Sequence, residues 1–574
     1  MMHRRDFLKS TCATGALASI VPSQSFAAPA VPDWNQLRQK VGSRLIPIES
    51  PLVLAQQGRT KVEEVFRRLK NPYWIGDEPG LTQTLGWIDA WTSRPSLMAV
   101  AAECAEDISA AIGFSTANKI PLVVKGGGHS YFGNSNRADS LLIWTKRLRS
   151  IELHDSFRPQ GSPAETAIPA VSVGAGTLWG ELYRKVARDH GRYVQGGGCM
   201  TVGTAGFIQG GGFGSFSKQF GTGAANLVEA EVVTADGVVR IVNAWQEPDL
   251  YFALRGGGGG TFAVVTRMTL RTHPLPDTFG AIMFEASATD DAAWKALVEQ
   301  MLLFYREKLH NPNWGEQIRF MPKRRLSVSM LCHSRSESEM RSTWAPFFDW
   351  IAAQAGRVKL GAEPLILALP GRSFWDPDFL RKLPGITLAD DRPAANPDNL
   401  FWATNLGEVG QVLNAYQSRW LAASWLQPAR FDTLVNALID ASREWSVGLH
   451  TNKGLAGGSA EALSATRETA TNPEVLDAFA LLICAADAPP AYPGIAGYEP
   501  DVAEGRREAA FVRRAMAPIV ALDPAAGCYI SEADYFETNW QRAYWGANYP
   551  RLAAVKRRYD PRSFFAGHHT VRAR

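Results

Sequence analysis

The chain has 574 residues, and its 60 Lys and Arg against 56 Asp and Glu leave a formal net charge of +4. A charge this small gives no footprint for nucleic-acid binding, and beyond the amino terminus no apolar run reaches the roughly 18 residues that span a bilayer. A chain of this length is expected to form two or more domains, with enough interior to bury a large cofactor.

The amino terminus has the features of an export signal. Residues 3–9 (HRRDFLK) fit the twin-arginine motif apart from its leading position, a weakly apolar stretch follows at 11–21, and residues 25–27 (SFA) offer a small-residue cleavage site. We therefore expect residues 1–28 to be a signal peptide read by the twin-arginine export machinery. The mature protein, starting near Ala28, would be periplasmic or secreted, with no stable membrane insertion.

Local patterns predict an alternation of strands and helices after an N-terminal extension. The extension, residues 29–90, contains several prolines and is interpreted as a surface wrap with one helix near 61–70. Between 91 and 275 the predicted strands are 121–124, 141–144, 170–173, 228–234, 238–242 and 263–271, and the predicted helices are 98–112 and 178–189. Asp236-Gly237, between two of these strands, is a hairpin signal.

Residues 276–528 predict a second α+β domain, because strand-like segments alternate with amphipathic helices. The strands are 318–321, 326–332 and 479–484, and the helices are 294–308, 337–355, 429–445 and 504–519. The chain also carries 18 Trp. Such a number suits aromatic walls around a sugar or aromatic substrate, although large cores use Trp as well.

Three glycine clusters stand out in the first predicted domain, at 125–129 (KGGGH), 196–199 (GGGC) and 256–260 (GGGGG). Consecutive glycines present unobstructed backbone N–H groups that can approach a diphosphate closely. The first cluster has neither the spacing of a dinucleotide fingerprint nor the end of a P-loop. Two clusters end on a nucleophile, His129 and Cys199, and this pairing favours a covalently bound flavin. The alternatives are a plain turn with a structural histidine and a buried structural cysteine.

Motifs around and beyond these clusters resemble a known family. They are VKGGGHS (124–130), IWT (143–145), CxTVGxAG (199–206) with GGG (210–212), NLVEAEVVTADG (226–237), DLYFALRGGG (249–258), FAVVT (262–266), Trp540, YWGxNYxRL (544–552) and YDP (559–561). They are similar to flavoproteins of the vanillyl-alcohol oxidase and p-cresol methylhydroxylase fold, in particular to the berberine bridge enzyme-like oxidases, which include oligosaccharide and alcohol oxidases. The blocks stand in family order over residues 87–275 and 528–566.

The resemblance implies a fold class. It is an α+β protein with a two-subdomain FAD-binding domain of the p-cresol methylhydroxylase type at 91–275 and a second α+β substrate domain at 276–528. A carboxyl-terminal segment, 529–574, would return to the flavin and complete its site.

The resemblance also implies the cofactor, FAD, attached through His129 to the flavin 8α-methyl group and through Cys199 to ring carbon C6. The other residues that it assigns to cofactor binding are Lys125, Gly126, Gly127, Gly128, Ser130, Thr201, Val202, Gly203, Gly206, Gly210, Gly211, Val264, Val265, Asn548 and Tyr549. Residues 125–130 would wrap the diphosphate, and Asn548 with Tyr549 would close over the isoalloxazine ring. Two covalent bonds would prevent dissociation and raise the flavin potential.

A catalytic base would help hydride leave an alcohol carbon, contributing about 10²–10⁴-fold to the rate. In the family the base tends to be a Tyr or a Glu, and the segment 529–535 (YISEADY) has Ser531 where many relatives have Asn. We place Glu532 ahead of Tyr529, with Tyr131 and Tyr535 behind them. In a regular strand Tyr529 and Glu532 would point to opposite faces, so only one of them would face the flavin.

No metal site is expected. His310, His333, His450, His568 and His569 lack ligand spacing with a carboxylate or Cys partner and are interpreted as surface or satisfied histidines. After the signal, the cysteines other than Cys199 are Cys104, Cys332, Cys484 and Cys528, which form no CxxC motif. They are interpreted as buried free thiols, although one or two disulfides could form after export.

These observations predict an exported FAD-dependent oxidase that takes hydride from an alcohol or sugar hemiacetal and passes the electrons to O₂, giving H₂O₂. Its partners would be a small alcohol, sugar or aromatic substrate and O₂, with no nucleic acid. The alternatives are a dehydrogenase that reduces a quinone or cytochrome, an enzyme that oxidatively cyclises an amine-bearing metabolite, and a flavin-carrying binding protein without turnover.

Overall fold

The structure, a computed structural model, describes residues 32–573. The signal peptide predicted at 1–28 lies outside this range, and within the range no helix is both long and apolar enough to cross a membrane. Up to Pro274 the elements are α1 (Trp34–Val41), β1 (Leu45–Pro47), α2 (Pro51–Gln56), α3 (Val62–Arg68), α4 (Pro72–Asp77), β2 (Thr84–Trp87), β3 (Trp91–Thr92), β4 (Met98–Ala101), α5 (Ala105–Asn118), β5 (Leu122–Lys125), β6 (Leu141–Trp144), β7 (Ile151–Phe157), β8 (Ile168–Gly174), α6 (Trp179–Tyr183), β9 (Arg192–Val194), α7 (Thr204–Gln209), α8 (Ser217–Phe220), β10 (Leu227–Thr234), β11 (Val239–Asn243), α9 (Pro248–Leu254) and β12 (Ala263–Pro274).

Each glycine cluster lies next to a strand of one of two sheets. In the first sheet β4, β6 and β5 are parallel and β1 is antiparallel at the edge, and β5 runs directly into the first cluster. The second sheet is antiparallel, in the order β11-β10-β12-β8-β7, with β9 also paired to β12. The second cluster follows β9, and the third cluster precedes β12.

The predicted strands of this region are all present, and the hairpin at Asp236-Gly237 is confirmed by the bond from Thr234 N to Val238 O, 3.1 Å. The helix predicted at 98–112 is wrong at its start, because 98–101 is the buried strand β4. In a fully buried strand every position is apolar, so its residues fit a helical period by chance. The helix α5 starts at Ala105, with Glu106 and Asp107 in its positively charged first turn.

The N-terminal extension is more than a wrap with one helix, so that interpretation is wrong. The predicted helix near 61–70 is present as α3, but three further helices and two strands flank it. β1 pairs with β4 in the first sheet, and β2 pairs in parallel with a strand that begins at Gln411. The partner of β2 is more than 300 residues away in the chain, so this pairing leaves no local signal. Both β1 and β2, with three and four residues, are also too short for a period to be recognised.

From Thr278 onwards most strands belong to one long sheet, while β18 and β19 form a separate two-stranded sheet. The elements are β13 (Thr278–Ala288), α10 (Asp291–Phe304), β14 (Trp314–Met321), β15 (Arg325–His333), α11 (Glu337–Ala353), β16 (Val358–Leu360), β17 (Leu365–Pro370), α12 (Pro377–Leu380), β18 (Thr387–Ala389), β19 (Leu400–Trp402), β20 (Gln411–Ala422), α13 (Pro428–Glu444), β21 (Val447–His450), α14 (Ala460–Arg467), β22 (Ala478–Ala488) and α15 (Val502–Leu522). The sheet has ten strands in the order β16-β13-β15-β14-β21-β22-β20-β2-β3, with β17 also paired to β13. The strands and helices predicted from periodicity are all present.

The tryptophans of this region lie mainly in its core. Trp294, Trp314 and Trp344 are at most 3% exposed and belong to the apolar cluster between the long sheet and the helices α10, α11, α13 and α15. Burying such large side chains contributes about 1.5–3 kcal/mol each. The high Trp count therefore reflects packing in this part of the chain.

The carboxyl-terminal helices α16 (Trp540–Trp545) and α17 (Tyr549–Tyr559) pack on the third glycine cluster. Trp545 Nε1 donates to Gly256 O, 3.0 Å, and the buried Lys556 ammonium donates to Thr261 O. Lys556 also pairs with Asp560, 2.7 Å, so its charge is compensated in the interior. The end of the chain thus returns to the domain that holds the glycine clusters.

Candidate active site

A cavity of about 650 Å³ lies between the glycine clusters and the long sheet. One wall comes from residues of the segments 126–130, 197–210 and 258–261, the opposite wall comes from β14, β20, β21 and β22, and residues 529–532 and 568–570 add the carboxyl-terminal part. The cavity therefore takes residues from both predicted domains and from the returning segment.

His129 and Cys199 both line the cavity and converge on one buried residue beside it, Thr201. His129 Nε2 lies 3.1 Å from Thr201 O and 3.3 Å from its hydroxyl, and Cys199 Sγ lies 3.4 Å from the same hydroxyl. A carbonyl oxygen only accepts, so Nε2 carries the proton and Nδ1 keeps its lone pair. Two nucleophiles that are 70 residues apart in the chain thus face the same space.

Burial sets the protonation of both groups. It lowers the pKa of His129 to about 4, with the Thr201 carbonyl opposing the shift, so the imidazole is neutral at physiological pH. Burial also raises the pKa of the Cys199 thiol, against the Thr201 hydroxyl. The histidine is therefore ready to react as a neutral nucleophile, whereas the cysteine must first lose a proton.

The glycine clusters leave no room for side chains where they meet. A Cβ on Gly127 would lie 2.6 Å from Gly203 N, and a Cβ on Gly203 would lie 2.7 Å from Gly127 N. Gly128 adopts a φ of +75°, which strongly favours glycine. The two loops are therefore packed backbone against backbone, and the amides around them stay accessible to an anion.

The end of the cavity opposite the clusters is strongly polar. Four carboxylates and two basic side chains line it: Glu316, Glu408, Asp487, Glu532, Arg319 and Lys453. The buried Lys453 ammonium forms an ion pair with Glu532. Glu316 has a positive φ of +80° and accepts a hydrogen bond from Ser215.

Tyr529 and Glu532 both line the cavity, which corrects the expectation that only one of them could. The expectation assumed a strand, but the backbone turns here, and Glu532 N donates to Tyr529 O, 2.9 Å. The turn packs on the glycine motif at 210–212, where Gly212 N donates to the Tyr529 hydroxyl, 3.3 Å. Burial and the Glu532 carboxylate raise the pKa of Tyr529, so its phenol keeps its proton at neutral pH.

Comparison with known proteins decides the family. Residues 96–243 match the family described as "FAD binding domain", and residues 528–572 match "Berberine and berberine like". The FAD-linked oxidoreductase easE of Arthroderma benhamiae is 31% identical over 481 residues, 82% of this chain and 88% of that protein. The FAD-linked oxidoreductase malF of Malbranchea aurantiaca is 30% identical over 566 residues, 94% of this chain and 89% of that protein. The chain belongs to the berberine-like FAD-linked oxidoreductases.

Solved structures confirm the fold class of this oxidoreductase. The VAO-type flavoprotein MtVAO615 from Myceliophthora thermophila C1 has a TM-score of 0.75 at 23% identity, covering 96% of each chain. A glucooligosaccharide oxidase from Acremonium strictum, whose FAD is 6-S-cysteinyl and 8α-N1-histidyl, has a TM-score of 0.65 at 19% identity, covering 86% of this chain and 94% of that one. At these identities the likeness concerns the fold.

The glycine loops fit the FAD that this family uses. Most of the predicted cofactor residues line the cavity: Gly126, Gly127, Gly128, His129, Ser130, Cys199, Val202, Gly203, Gly206, Gly210 and Val265. The close contact between Gly127 and Gly203 forms a cradle that any side chain would fill. Such a cradle suits a diphosphate approached by backbone amides, and the neighbouring nucleophiles suit a ring system that they can attack.

Several predicted cofactor residues do not line the cavity, among them Asn548 and Tyr549. Asn548 Nδ2 donates to Thr471 O, 2.9 Å, and Tyr549 packs on Trp540 and Trp545, so neither closes over the cavity. Both belong to the joint between α16 and α17, where they hold the returning segment in place. Their role is therefore structural support behind the cavity wall.

Lys125 is also turned away from the cavity. Its ammonium donates to the carbonyl oxygens of Glu78, 3.2 Å, and Leu81, 2.9 Å, so it fixes the loop before β2. Thr201, Gly211 and Val264 are not among the lining residues either, and the Val264 side chain packs in an apolar core. Tyr535, one of the lower-ranked base candidates, stacks on His568 at 3.6 Å outside the lining, whereas Tyr131 lines the cavity.

Sequence reasoning missed several cavity residues. His450, His568 and His569 line the cavity, although their interpretation as surface or satisfied histidines gave them no place there. Among residues 32–573, no group of three or more His, Cys, Asp or Glu side chains is arranged to hold a metal ion. Glu316, Glu408 and Lys453 carried no motif, because strands far apart in sequence bring them together.

The predicted aromatic wall of Trp is absent from the lining, where Tyr131, Phe132 and Tyr416 are among the aromatic residues instead. The five cysteines of the described chain are unpaired, and Cys332, Cys484 and Cys528 are buried. These thiols match the expectation of buried free cysteines. Cys104 and Cys199 are half-buried.

Proposed function

We propose that this chain is an exported FAD-linked oxidase whose flavin is attached through both His129 and Cys199. It takes hydride from an alcohol or sugar hemiacetal and passes the electrons to O₂. The observation that carries the proposal is that the two nucleophiles line one cavity and converge on the same buried residue, Thr201. The 6-S-cysteinyl, 8α-N1-histidyl FAD of the Acremonium strictum oxidase supports the same pair of bonds here.

The residues around the nucleophiles support attachment through specific atoms. Thr201 O holds the proton on Nε2 of His129, so Nδ1 is the free nucleophile. Cys199 reacts as a thiolate, and the Thr201 hydroxyl 3.4 Å from its sulfur can donate to that thiolate. Each bond replaces one hydrogen on the flavin and one on the side chain, so each releases two electrons and two protons, which O₂ can accept.

For the reaction itself, flavin supplies the hydride acceptor. The chain supplies the base, and we favour Glu532 over Tyr529. The Tyr529 phenol keeps its proton because burial and Glu532 raise its pKa, so it suits a hydrogen-bond donor to the substrate oxygen. Glu532 presents a carboxylate to the cavity, and Lys453 compensates its charge when no proton is bound.

The attachment is tested by acid denaturation followed by peptide mapping. We expect the precipitated protein to stay yellow and one flavin to connect the peptides that contain His129 and Cys199. The mass of that product should equal both peptides plus FAD, less two hydrogens for each bond. Free FAD in the acid supernatant would contradict the proposal.

The electron acceptor and the export require separate tests. A screen of alcohols, sugars and amines should give substrate-dependent H₂O₂, and the oxidase relatives of this fold support that expectation. Turnover that needs an added quinone or cytochrome would instead support a dehydrogenase. Export rests on residues 3–9, so the pair Arg4→Lys and Arg5→Lys should keep the precursor in the cytoplasm.

A further inference from the structure

One side of the polar end of the cavity is formed by a segment that we call the strap, residues 387–408. It contains β18, β19 and a short 3₁₀ helix, 403–408. Three hydrogen bonds fix the strap to the rest of the protein. Asn71 Nδ2 donates to Asp390, 2.8 Å, the Tyr73 hydroxyl donates to Leu400 O, 2.6 Å, and Trp402 Nε1 donates to Gly198 O, 2.8 Å. The last bond joins the strap to the loop that carries Cys199.

The strap ends by placing Asn405 and Glu408 in the cavity lining. Lys453 is paired with Glu532, and Arg319 Nε donates to Gln317, 2.9 Å. Among residues 32–573, Glu408 and Asp487 form no ion pair, so the polar end has more carboxyl groups than cations to pair with them. An uncharged ligand that displaced water here would leave these carboxylates without compensation.

The Glu408 side chain is exposed to the open cavity, with protein atoms of the cavity walls around it. Burial and the carboxylates of Glu532 and Asp487 raise its pKa to about 7, against the cations of Lys453 and Arg319. The other ionisable groups that Glu408 influences are Tyr131, Tyr416 and Cys199. At slightly alkaline pH the carboxylate is therefore charged and has no ion-pair partner among residues 32–573.

The unsatisfied polar atoms of the lining have one property in common. Asn452 is 3% exposed, and its Oδ1 has no hydrogen-bond partner, as is also true of Oδ1 of the strap residue Asn405. The Asn452 amide is oriented by its Nδ2, which donates to Glu316, 3.4 Å. The third unsatisfied atom of the lining is Oε1 of Gln209, so all three are acceptors, as are the Glu408 oxygens. These acceptors have no donor within reach, so a ligand that brings donors would satisfy them.

We propose that Glu408 is a specificity-determining residue that binds a protonated amine on the alcohol substrate. This inference rests on the proposed function and adds the charge of its substrate. An ammonium brings donors and a positive charge together, whereas a hydroxyl brings donors alone. The strap contacts hold Glu408 opposite Glu532, so recognition of the amine and removal of the proton involve different carboxylates.

The test uses two matched pairs of probes that differ in one ammonium: glucosamine with glucose, and 4-(aminomethyl)benzyl alcohol with 1,4-benzenedimethanol. Kd is measured by perturbation of the flavin absorbance without O₂, and flavin reduction is followed separately. We expect the charged member of at least one pair to bind the native protein about tenfold more tightly than its neutral partner. Glu408→Gln should abolish this preference, and Glu165→Gln, at an exposed site outside the cavity lining, should keep it.

A second measurement needs no variant. Glu408 loses its proton as pH rises through about 7, while the benzylic ammonium of 4-(aminomethyl)benzyl alcohol stays charged, so Kd of this probe should fall between about pH 6 and pH 8. Equal Kd values for charged and neutral probes, or a preference that survives in Glu408→Gln, would overturn the inference. Charged probes that bind through Glu408 but never reduce the flavin would support it and count against the proposed oxidation.

Discussion

At the scale of single residues, the cavity divides its work between two carboxylates and two nucleophiles. Both nucleophiles contact the Thr201 hydroxyl, and the carboxylate of Glu532 forms an ion pair with Lys453. Burial disfavours the charged form of both His129 and Cys199, so it lowers the pKa of the histidine and raises the pKa of the cysteine. The roles of these residues can therefore be separated by substitutions that keep the shape of the side chain.

Glu532→Gln should slow reduction of the flavin by about 10²–10⁴-fold, because Gln cannot accept the substrate proton. Tyr529→Phe should have a smaller effect, since its phenol already keeps its proton and serves only as a hydrogen-bonding group. Anaerobic stopped-flow with a substrate found in the screen measures both rates, and flavin content is the control. A larger loss in Tyr529→Phe would make the tyrosine the base.

Cys199→Ala should leave the flavin attached through His129 and lower its potential. The Thr201 carbonyl that orients His129 does not depend on the sulfur, so the histidine keeps its neutral, reactive form. Flavin fluorescence of the denatured protein on a gel checks the attachment, and a redox titration checks the potential. Complete loss of attachment would show that the cysteine bond must form first.

At the scale of elements, close backbone packing fixes the cradle. Gly203→Ala would place a Cβ 2.7 Å from Gly127 N. The nearest atoms all belong to the backbone of Gly126 and Gly127, so they cannot move aside cheaply. We expect a loss of about 1–3 kcal/mol in stability together with lower flavin incorporation. Gly113→Ala, in the exposed interior of α5 with no atom within 4 Å, is the control and should gain up to about 1 kcal/mol.

The elements also indicate what a sequence can predict. Long periodic segments such as α11, α13 and α15 and strands beside turn signals were recognised, because their pattern repeats within a few residues. The helix start at Ala105, the strands β1 and β2, and the turn at 529–532 were not, because tertiary pairing determines them. The cofactor wall followed from clustered glycines and family resemblance. The opposite wall, with Glu408 and Lys453, gathers isolated residues from separate segments and has no local signal.

At the scale of the whole molecule, a buried lysine joins the cofactor side to the long sheet. Lys218, in α8, donates to the Tyr305 hydroxyl, 3.0 Å, and to the carbonyl oxygens of Thr451 and Phe479. Within the described part of the chain no carboxylate pairs with it. Burial lowers the pKa of Lys218 to about 7. Its partners hold the turn that leads to Lys453, so this interface supports the ion pair in the cavity.

The free energy of unfolding should consequently rise with pH between about 7 and about 9. In this range the unfolded chain keeps a proton on Lys218 that the folded chain has lost, so the unfolded state binds more protons and raising pH favours folding. Lys125 acts in the same direction, and the buried thiols of Cys332 and Cys484, with pKa values of about 12, oppose it above 9. Urea unfolding of the native protein and Lys218→Met should give a flatter profile for the variant. An unchanged slope would contradict this assignment.

The cavity takes its walls from segments that extend from residue 124 to residue 570. A ribosome must therefore release almost the whole polypeptide before the pocket can exist, so cofactor insertion follows translation. A chain terminated before Cys528 would retain both attachment residues yet lack the last wall, and it should emerge as colourless protein.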